Sequence, residues 1–483
     1  MNLKVISRNV GYALMVSALF MLLSVFVSVA GGRDSALAAL LISFTITFTV
    51  GIFPFIFVRK APAITLKDGY MIIFLSWGLS FIFGMLPYLL WGGPFTVVNA
   101  WFESVSGLTA TGATILDDIE ALPRSLLFWR SSTHFIGGLG VVVFLLLIIP
   151  SSSPVRLRLA NMELSSLFRE GYSSGTNRTV SIFTYVYLAM NAAAFLCYLL
   201  CGMSAFDAVN HAFSVCATGG FSIRNLSIGY YGSPAVEWVT VFFMILSSVH
   251  FAITYLVIVT RSLKPLRNPV LKYYIGSLLV ATVVVMLSLR AQGMPWMTAF
   301  RQGGFHVVSF ASTTGFGIGD NTLWPMAAVL VLVFMGIQTG MAGSTTGGLK
   351  ADRMMIILRA VSRQVKRTVR PSSVSEIKIG RHLLKEEDVY PHILYFAVFT
   401  LVVIVSFGLC LVFGGDAAES LSGTLSSIGN VGPGVAGAIG TAGTFNSQPA
   451  AVKVIFTLDM FLGRLEIYPI LAVISMLFTY DRR

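Results

Sequence analysis

The sequence is poor in charged residues. Only 11% of its 483 residues are Asp, Glu, Lys or Arg, whereas 55% are hydrophobic and the mean hydropathy is +0.81. A soluble domain carries about 25% charged residues, which it needs to cover its surface with polar groups. The shortage excludes a cytosolic enzyme, a secreted domain and a disordered chain, and it predicts a protein that crosses a membrane several times.

Cysteine is scarce as well. Cys197, Cys201, Cys216 and Cys410 lie in apolar or re-entrant stretches, and they form neither a disulfide framework nor a C-x-x-C metal-ligand pair. Cys197 and Cys201 have a helical spacing, which we interpret as core packing. A cleavable signal is also not evident, because the first apolar run, 10–31, is long enough to span a bilayer and has no clear small-x-small cleavage site after it.

Long apolar runs are abundant. A transmembrane helix needs roughly 20 apolar residues. Runs of about this length occur at positions 10–31, 36–58, 69–91, 125–149, 180–203, 235–260, 273–292, 325–360, 392–413 and 451–480. Shorter, half-apolar stretches lie between some of them, at 97–112, 204–220, 297–315 and 416–432. Each of these is too short to span and is followed by glycine-rich sequence, which predicts a helix that enters the membrane and turns back.

The four short stretches share one motif, a Ser that precedes a Gly by six positions. It reads SGLTATGAT, SVCATGGFS, SFASTTGFG and SSIGNVGPG, beginning at Ser106, Ser214, Ser309 and Ser426. One match means little in a chain with 45 glycines, but four matches between spanning helices indicate an internal repeat. We therefore predict an all-α polytopic membrane protein with four pseudo-symmetric helix–pore loop–helix repeats around one central pore. The predicted boundaries are 1–62 for two extra N-terminal transmembrane helices, and 63–165, 166–265, 266–375 and 376–483 for the repeats.

Positive charge is unevenly distributed along the chain. Two long helices and one re-entrant loop per repeat place all four loops on one side of the membrane. The other side carries 21 of the 33 Lys and Arg residues, in segments 59–68, 150–179, 261–272 and 350–391. The positive-inside rule makes these segments cytoplasmic, so the loops open to the outside. The net charge of +12 therefore reflects topology and contact with anionic lipid rather than nucleic acid.

The loop composition is typical of a cation pore lined by carbonyl oxygens. Irregular backbone at membrane depth is tolerated only when it lines a cavity or is buried in protein. Four such loops can present rings of carbonyl oxygens that replace the hydration shell of a monovalent cation, and acidic residues nearby would concentrate cations. The alternative is that Gly and Thr only allow helices to pack closely. The predicted ion-binding residues are Ala110, Thr111, Gly112, Thr218, Gly219, Gly220, Thr313, Thr314, Gly315, Asn430, Val431 and Gly432. The acidic residues are Asp117, Asp118, Glu120, Asp320, Asp416 and Glu419.

The apolar run at 325–360 is interrupted. It ends near Ile337 and continues as QTGMAGSTTGGLK, which has little helix propensity. A phosphate-binding P-loop is excluded, because Gly348 is followed by Leu349 where that motif requires Lys. We predict that residues 339–350 form a hinge or plug below the four pore loops, which together would act as the ion filter. The candidate gate residues of this segment are Gly340, Gly343, Ser344, Thr345, Gly347, Gly348 and Lys350.

Arg464 lies near the middle of the last apolar run. A charge at this depth is costly, which makes it a functional candidate. The alternative is a buried ion pair with Asp459 or Glu466, although Glu466 is two residues away and on another helix face.

These segments resemble the Trk/Ktr/HKT superfamily of potassium transporters, and within it the bacterial Trk membrane subunits. The resemblance covers essentially the whole chain. It rests on the loops TATGAT, TGGFS, TTGFG and NVGPG, on GGLGV at 137–141, AGSTTGGLK at 342–350 and GRLEIYP at 463–469. The family's selectivity-filter glycines correspond to Gly112, Gly220, Gly315 and Gly432.

The resemblance implies potassium uptake across the bacterial inner membrane by a multi-pass protein, with potassium as the transported ion and no organic cofactor. It implies a homodimer and a cytosolic nucleotide-binding regulatory subunit of the TrkA type, which we expect to dock on the basic cytoplasmic loops. It also makes 339–350 the intramembrane gate, with Arg464 below the filter and in contact with it. The sequence departs from the family's gate loop at Thr339 and Thr346, where Gly is common.

Two other classes of function are compared with this prediction. A secondary transporter of a small solute, with broken helices at the midplane, would show two inverted halves, whereas this chain has four repeats in the same direction. An intramembrane enzyme would need clustered catalytic groups, and the sequence places no Ser/His/Asp grouping or paired carboxylates together. We therefore do not expect an enzyme.

Overall fold

The computed structural model describes residues 2–58, 65–147, 176–371, 376–379 and 382–480. Helices make up nearly all of the regular structure in these ranges, and the two sheets there have two short strands each. The predicted all-α fold class is confirmed. By length and composition, six described helices could cross a membrane, or seven if one bent helix pair counts as a span. Most of the predicted basic segment 150–179 lies outside the described residues, as do parts of 59–68 and 350–391.

The chain begins with a pair of antiparallel helices, α1 (Leu3–Ala30) and α2 (Leu37–Phe57). They cross at Gly11 and Gly51, where a Cβ on Gly11 would lie 2.7 Å from the Gly51 carbonyl oxygen. Small residues at such crossings let two helix backbones approach closely in a membrane. The pair matches the two extra helices expected before the first repeat.

The remaining elements are grouped here by the four predicted repeats, whose boundaries stay a prediction. Repeat 1 contains α3 (Leu66–Gly84), α4 (Leu86–Trp91), α5 (Val97–Leu108) and α6 (Arg124–Leu147). Repeat 2 contains α7 (Thr176–Leu200), α8 (Ala205–Cys216), α9 (Pro234–Ser248) and α10 (Phe251–Thr260). Repeat 3 contains α11 (Pro269–Ala291), α12 (Trp296–Ala311), α13 (Met326–Ile337), β1 (Gln338–Thr339), β2 (Leu349–Lys350) and α14 (Ala351–Val369). Repeat 4 contains β3 (Ile377–Ile379), β4 (His382–Leu384), α15 (Glu386–Val412), α16 (Ala417–Gly429), α17 (Ala450–Leu465) and α18 (Ile467–Tyr480).

The four short re-entrant helices are α5, α8, α12 and α16, and we call them the pore helices. Three of them begin at a side-chain cap: Thr96 accepts a hydrogen bond from the Asn99 amide, Ser204 from the Asp207 amide, and Asp416 from two amides of α16. Such caps satisfy amide groups that a helix end leaves unpaired. The inner half of each pore helix is buried, so the pore helices form the centre of the fold.

The apolar run at 235–260 does not form one straight helix, because α9 and α10 meet at an angle of 102°. Val249 adopts an extended conformation, and the His250 side chain caps α10 by accepting a hydrogen bond from the Ala252 amide. The carbonyl oxygen of Ser248, released by the break, accepts from the Met341 amide at 2.9 Å. A segment distant in sequence therefore stabilises the bend, and the apolar pattern of the run gives no sign of it.

The last predicted span, 451–480, is also divided. Helix α17 ends at Leu465 and α18 begins at Ile467, with Glu466 between them at a φ of 63°. Glu466 accepts a hydrogen bond from Arg353 of α14 at 2.6 Å. The break has a local cause, because Pro469 has no amide hydrogen to donate to the Leu465 carbonyl oxygen and its ring would clash with that group in a continuous helix. The ion pair with Arg353 then fixes the Glu466 side chain at the break.

Candidate ion pore and gate

The four predicted loops share one backbone conformation. The residue two positions before each motif glycine has a φ between 50° and 55°, and the glycine itself has a φ between 76° and 101°. The residues with this φ, each two positions before its motif glycine, are Ala110, Thr218, Thr313 and Asn430. A positive φ costs a residue with a side chain on the order of 1–3 kcal/mol, and it persists only where the surrounding structure enforces it. Its occurrence at the same position in all four loops indicates that the four repeats share one local backbone structure.

The motif serine joins each loop to its pore helix. The carbonyl oxygen of the serine accepts a hydrogen bond of 2.9 Å from the amide of the residue just before the glycine, in all four repeats. The hydroxyls of Ser106, Ser309 and Ser426 also donate to a carbonyl oxygen at or just after the glycine, at 2.6 to 2.8 Å. Ser214 instead contacts the His134 ring at 2.9 Å. The Ser-x5-Gly spacing therefore has a direct structural cause.

The motif glycines close the loops into a ring. A Cβ on any of them would overlap with, or press tightly against, a carbonyl oxygen of the next loop. The contacts run from Gly112 to Gly219, from Gly220 to Thr314, from Gly315 to Val431 and from Gly432 to Thr111. The order is cyclic, so the four loops lie side by side around one axis. All twelve predicted ion-binding residues are brought together in this ring, which we call the loop ring.

A second ring of contacts joins the segments that follow the loops. The Asn225 amide group donates to Asp118 at 2.9 Å, and the Gly229 amide donates to the Gly317 carbonyl oxygen at 3.1 Å. Thr441 donates to the Gly319 carbonyl oxygen at 2.9 Å, and Phe445 donates to that of Thr114 at 2.8 Å. Each repeat is thereby bonded to the next. Three of the predicted acidic residues accept hydrogen bonds across these repeat boundaries, namely Asp117, Asp118 and Glu120, whereas Glu419 accepts from the Ala438 amide within repeat 4.

Residues 338–350 form a closed loop between α13 and α14, as the predicted interruption requires. Strands β1 and β2 pair in parallel, with Gln338 opposite Leu349 and Thr339 opposite Lys350. The Thr339 hydroxyl donates to the Gly347 carbonyl oxygen at 2.7 Å, and the hydroxyls of Ser344 and Thr346 lie 2.8 Å apart. Lys350 donates to the carbonyl oxygen of Thr346. Both threonines that depart from the family pattern therefore make hydrogen bonds within the loop, which stabilise its closed conformation.

This loop lies against the loop ring. The Gly347 amide points to the Thr313 hydroxyl at 3.4 Å, and a Cβ on Gly347 would overlap with the Asn430 side chain. The Thr345 hydroxyl donates to the carbonyl oxygen of Cys216, the last residue of α8, at 3.1 Å. Gly340, Gly343 and Gly348 are the other predicted glycines: a Cβ would press on Ser248, His250 and Thr339, respectively. Because the segment touches repeats 2, 3 and 4, bulkier residues at these glycines would displace it.

Arg464 is buried and joins three elements. From α17 it donates to the carbonyl oxygen of Thr345 in the loop, and also to that of Gly137 in α6 at 3.1 Å. The acids named as alternative partners make other contacts. Glu466 pairs with Arg353 at 2.6 Å, and Asp459 accepts from the Ser406 hydroxyl at 2.6 Å. The described contacts of Arg464 are therefore to carbonyl oxygens.

Sequence reasoning missed a set of polar side chains behind the loop ring. Glu103 and Arg130 form an ion pair of 2.5 Å, and both are buried. Glu103 lies three residues before the motif serine of repeat 1, and His211 and His306 occupy the same position in repeats 2 and 3. Aligning the repeats on their serines would have revealed this shared position, which is the signal that could have identified them.

A comparison with known proteins settles the family. A family model for TrkH, described as a cation transport protein, matches residues 38–481. The chain belongs to the TrkH family. A transport function rather than an enzymatic one agrees with this assignment, and the predicted multi-pass location in the bacterial inner membrane is confirmed.

Individual TrkH relatives match over nearly their whole length. The "Trk system potassium uptake protein TrkH" of Salmonella typhimurium is 31% identical over 425 residues, which are 87% of either chain. The protein of the same name from Halomonas elongata is 30% identical over 490 residues, 99% of either chain. The crystal structure of the potassium transporter TrkH from Vibrio parahaemolyticus superposes with a TM-score of 0.87 at 29% identity and covers 98% of both chains. The architecture described above is thus similar to that of a solved TrkH structure.

Proposed function

We propose that this protein takes up potassium ions through the axis of the loop ring, which acts as its selectivity filter. The observation that carries this proposal is the cyclic packing of four loops with the same backbone conformation, each with a glycine against a carbonyl oxygen of the next. Carbonyl rings of this kind replace the hydration shell of potassium. The names of the relatives, which are potassium uptake proteins, support the same ion.

The pore helices support cation binding electrostatically. Each ends directly before its loop, at Leu108, Cys216, Ala311 and Gly429. The C-terminus of a helix carries a partial negative charge of roughly half an elementary charge. Four such ends directed at one axis favour a cation there and disfavour an anion.

Residues 338–350, with Arg464, form the proposed gate. The loop contacts repeats 2, 3 and 4, while Arg464 extends the contact to Gly137 of repeat 1. Together the loop and Arg464 contact all four repeats, which suits a segment that lies across the axis of the ring. In this arrangement the guanidinium adds a positive charge to the path, which opposes cation flow. Conduction would require the loop and the Arg464 side chain to move aside.

We further propose a homodimer whose gate is controlled by a cytosolic nucleotide-binding subunit of the TrkA type. Helix α14 continues directly from the gate loop at Ala351, so a partner that moves α14 also moves the loop. The far end of α14 exposes Lys366, Arg367 and Arg370, which suit an acidic docking surface. Membrane lipid with anionic headgroups is the other expected partner of this basic segment.

Growth of bacterial cells that lack their own potassium uptake systems tests the proposed function. Cells producing the chain together with a TrkA-type subunit should grow in low-potassium medium and accumulate rubidium. A variant with Gly112→Ala, which places a methyl group against the Gly219 carbonyl oxygen, should fail to support growth at the same expression level. Failure of the unsubstituted protein to restore either growth or rubidium uptake would overturn the proposal.

A further inference from the structure

A buried ion pair lies behind the loop ring. Glu103 of α5 has no exposed surface and Arg130 of α6 is 2% exposed, with Nε of Arg130 2.5 Å from Oε1 of Glu103. Burying two charges is costly unless further hydrogen bonds satisfy both groups. The other contacts of this pair show where those hydrogen bonds go.

The carboxylate of Glu103 binds the segment that follows loop 1. The Thr114 hydroxyl donates to it at 3.0 Å and 3.1 Å, and the Ile115 amide donates to it at 3.2 Å. Thr114 lies two residues after Gly112, one of the glycines of the ring. Glu103 therefore holds the outer part of loop 1 through acceptor oxygens only.

The guanidinium of Arg130 binds the segment that follows loop 2. Its Nη1 donates to the carbonyl oxygen of Ser222 at 2.8 Å, and its central carbon lies 3.6 Å from the centroid of the Phe221 ring. Phe221 directly follows Gly220. A guanidinium over an aromatic face adds a cation–π attraction to the hydrogen bond. Through the ion pair, loops 1 and 2 are joined by one continuous set of contacts.

The other repeats are built differently at this position. His211 contacts the Ser222 hydroxyl of its own loop at 3.0 Å, and its uncharged ring packs against Phe316 of loop 3 with centroids 5.8 Å apart. His306 contacts the Gly319 carbonyl oxygen of its own loop at 3.3 Å. In repeat 4 the position is Gly423, and the ring of Phe456 occupies the space. Among the described residues at this position, the charged one is Glu103 of repeat 1, and its partner Arg130 contacts the neighbouring loop.

We propose that Glu103 and Arg130 are positioning residues for ion selection, which set the separation of loops 1 and 2 and thereby the dimensions of the carbonyl ring. This inference rests on the proposed filter function and adds to it the elements that fix the filter's geometry. The two residues act through the loops, and neither is assigned a contact with the ion. A fixed separation matters because selectivity depends on the number and placement of the coordinating oxygens.

The test compares the ratio of potassium to sodium flux in liposomes for the unsubstituted protein and Glu103→Gln. Glutamine has the same shape, but its NH2 group cannot accept the hydrogen bond from the Ile115 amide. We expect the variant to remain folded and conductive while its potassium-to-sodium ratio falls by roughly three- to tenfold, because one charge-assisted contact is lost. Glu103→Asp keeps both acceptor oxygens, so we expect its potassium-to-sodium ratio to lie closer to that of the unsubstituted protein than the ratio of Glu103→Gln does.

The exchanged pair Glu103→Arg with Arg130→Glu separates positioning from simple charge pairing. The exchange keeps one ion pair but places donors against the donors of Thr114 and Ile115, so we expect no recovery of selectivity. The matched control is Glu237→Gln, which removes another ion pair with a buried carboxylate, to Arg301 at 3.2 Å between α9 and α12. This control should keep the ratio of the unsubstituted protein.

Three results would overturn the inference: an unchanged ratio in Glu103→Gln, an equal change in Glu237→Gln, or full recovery in the exchanged pair. A failure of the proposed function is distinguishable from these, because it would appear as absent potassium flux in the unsubstituted protein.

Discussion

Arg464 donates a hydrogen bond to the carbonyl oxygen of Thr345, and so joins the last long helix to the loop beneath the ring. The same guanidinium reaches Gly137 of repeat 1 at 3.1 Å. One side chain of repeat 4 thus connects the loop to repeat 1. The predictions below follow from this contact and from the packing of the ring.

Arg464→Ala should raise potassium flux and weaken its control by a regulatory subunit. Alanine removes the positive charge below the ring and both hydrogen bonds to carbonyl oxygens, each worth about 1.5–3 kcal/mol for a charged donor. Rubidium efflux from liposomes, with and without the regulatory subunit, measures both effects. Arg301→Ala, a partly exposed charge paired with Glu237, is the control and should change neither. Unchanged flux together with intact regulation in Arg464→Ala would refute the gating role.

Gly315→Ser should abolish or strongly reduce potassium selectivity. Its φ is 76°, and a Cβ there would overlap with the Val431 carbonyl oxygen, so serine forces loops 3 and 4 apart. Competition of sodium and lithium with rubidium uptake is the measurement. Gly276→Ser in α11 is the matched control, because a Cβ there has no atom within 4 Å. Unchanged discrimination in Gly315→Ser would count against the filter assignment.

Asn430→Gly should impair selectivity although glycine is the residue best suited to the local backbone. Asn430 has a φ of 53°, which glycine adopts without strain, so the substitution tests the side chain alone. That side chain donates to the Thr111 hydroxyl at 2.9 Å and to the Met460 carbonyl oxygen at 2.8 Å. Loss of both contacts should lower the potassium-to-sodium ratio a few-fold, since each contributes about 1 kcal/mol. A ratio equal to that of the unsubstituted protein would show that the amide is dispensable.

Thr339→Val should loosen the gate loop. Valine keeps the shape of threonine but removes the hydroxyl that donates to the Gly347 carbonyl oxygen at 2.7 Å, a change of about 1 kcal/mol. Amide hydrogen exchange should become faster across 338–350, and flux without the regulatory subunit should rise. Thr400→Val on the exposed side of α15 removes a hydroxyl that bonds only within its own helix, and it should have neither effect. If the rate of amide hydrogen exchange across 338–350 is unchanged in Thr339→Val, the hydroxyl does not stabilise the loop and the prediction is wrong.

The carboxyl group of Asp34 should make the folded protein less stable in acid. Burial alone would raise the pKa of this carboxyl, but hydrogen bonds from Ser28 and Ser125 lower it below the ordinary 3.8. A lowered pKa means that the ionised form stabilises the fold above about pH 3.8, and that this contribution is lost as the pH falls through the folded-state value. Asp34→Asn should reduce the melting temperature at pH 7 by roughly 1–2 °C, with the difference shrinking near pH 3. A constant difference across this range would contradict the account.

Much of the fold follows from the sequence. The apolar runs and the interrupted segment at 338–350 could be read from composition, because membrane insertion imposes length and polarity limits on single segments. The repeat could be found from its serines and glycines, since the loop conformation requires both. Each of these features depends on a few neighbouring residues.

Other features depend on distant parts of the chain. The bend at His250 is stabilised by the gate loop, nearly one hundred residues later. The pairing of Glu103 with Arg130 was not predicted from the sequence, because it exists only after α5 and α6 pack behind the loops. Such tertiary contacts leave no local pattern in the sequence.

The central claim is tested most directly by cation flux through the purified protein in liposomes, with potassium, rubidium, sodium and lithium compared across a pH gradient. Arg464→Ala is included so that a closed gate does not hide conduction. The account predicts flux of potassium and rubidium well above that of sodium and lithium. Absence of potassium and rubidium flux in both proteins, or equal flux of all four ions, would contradict it.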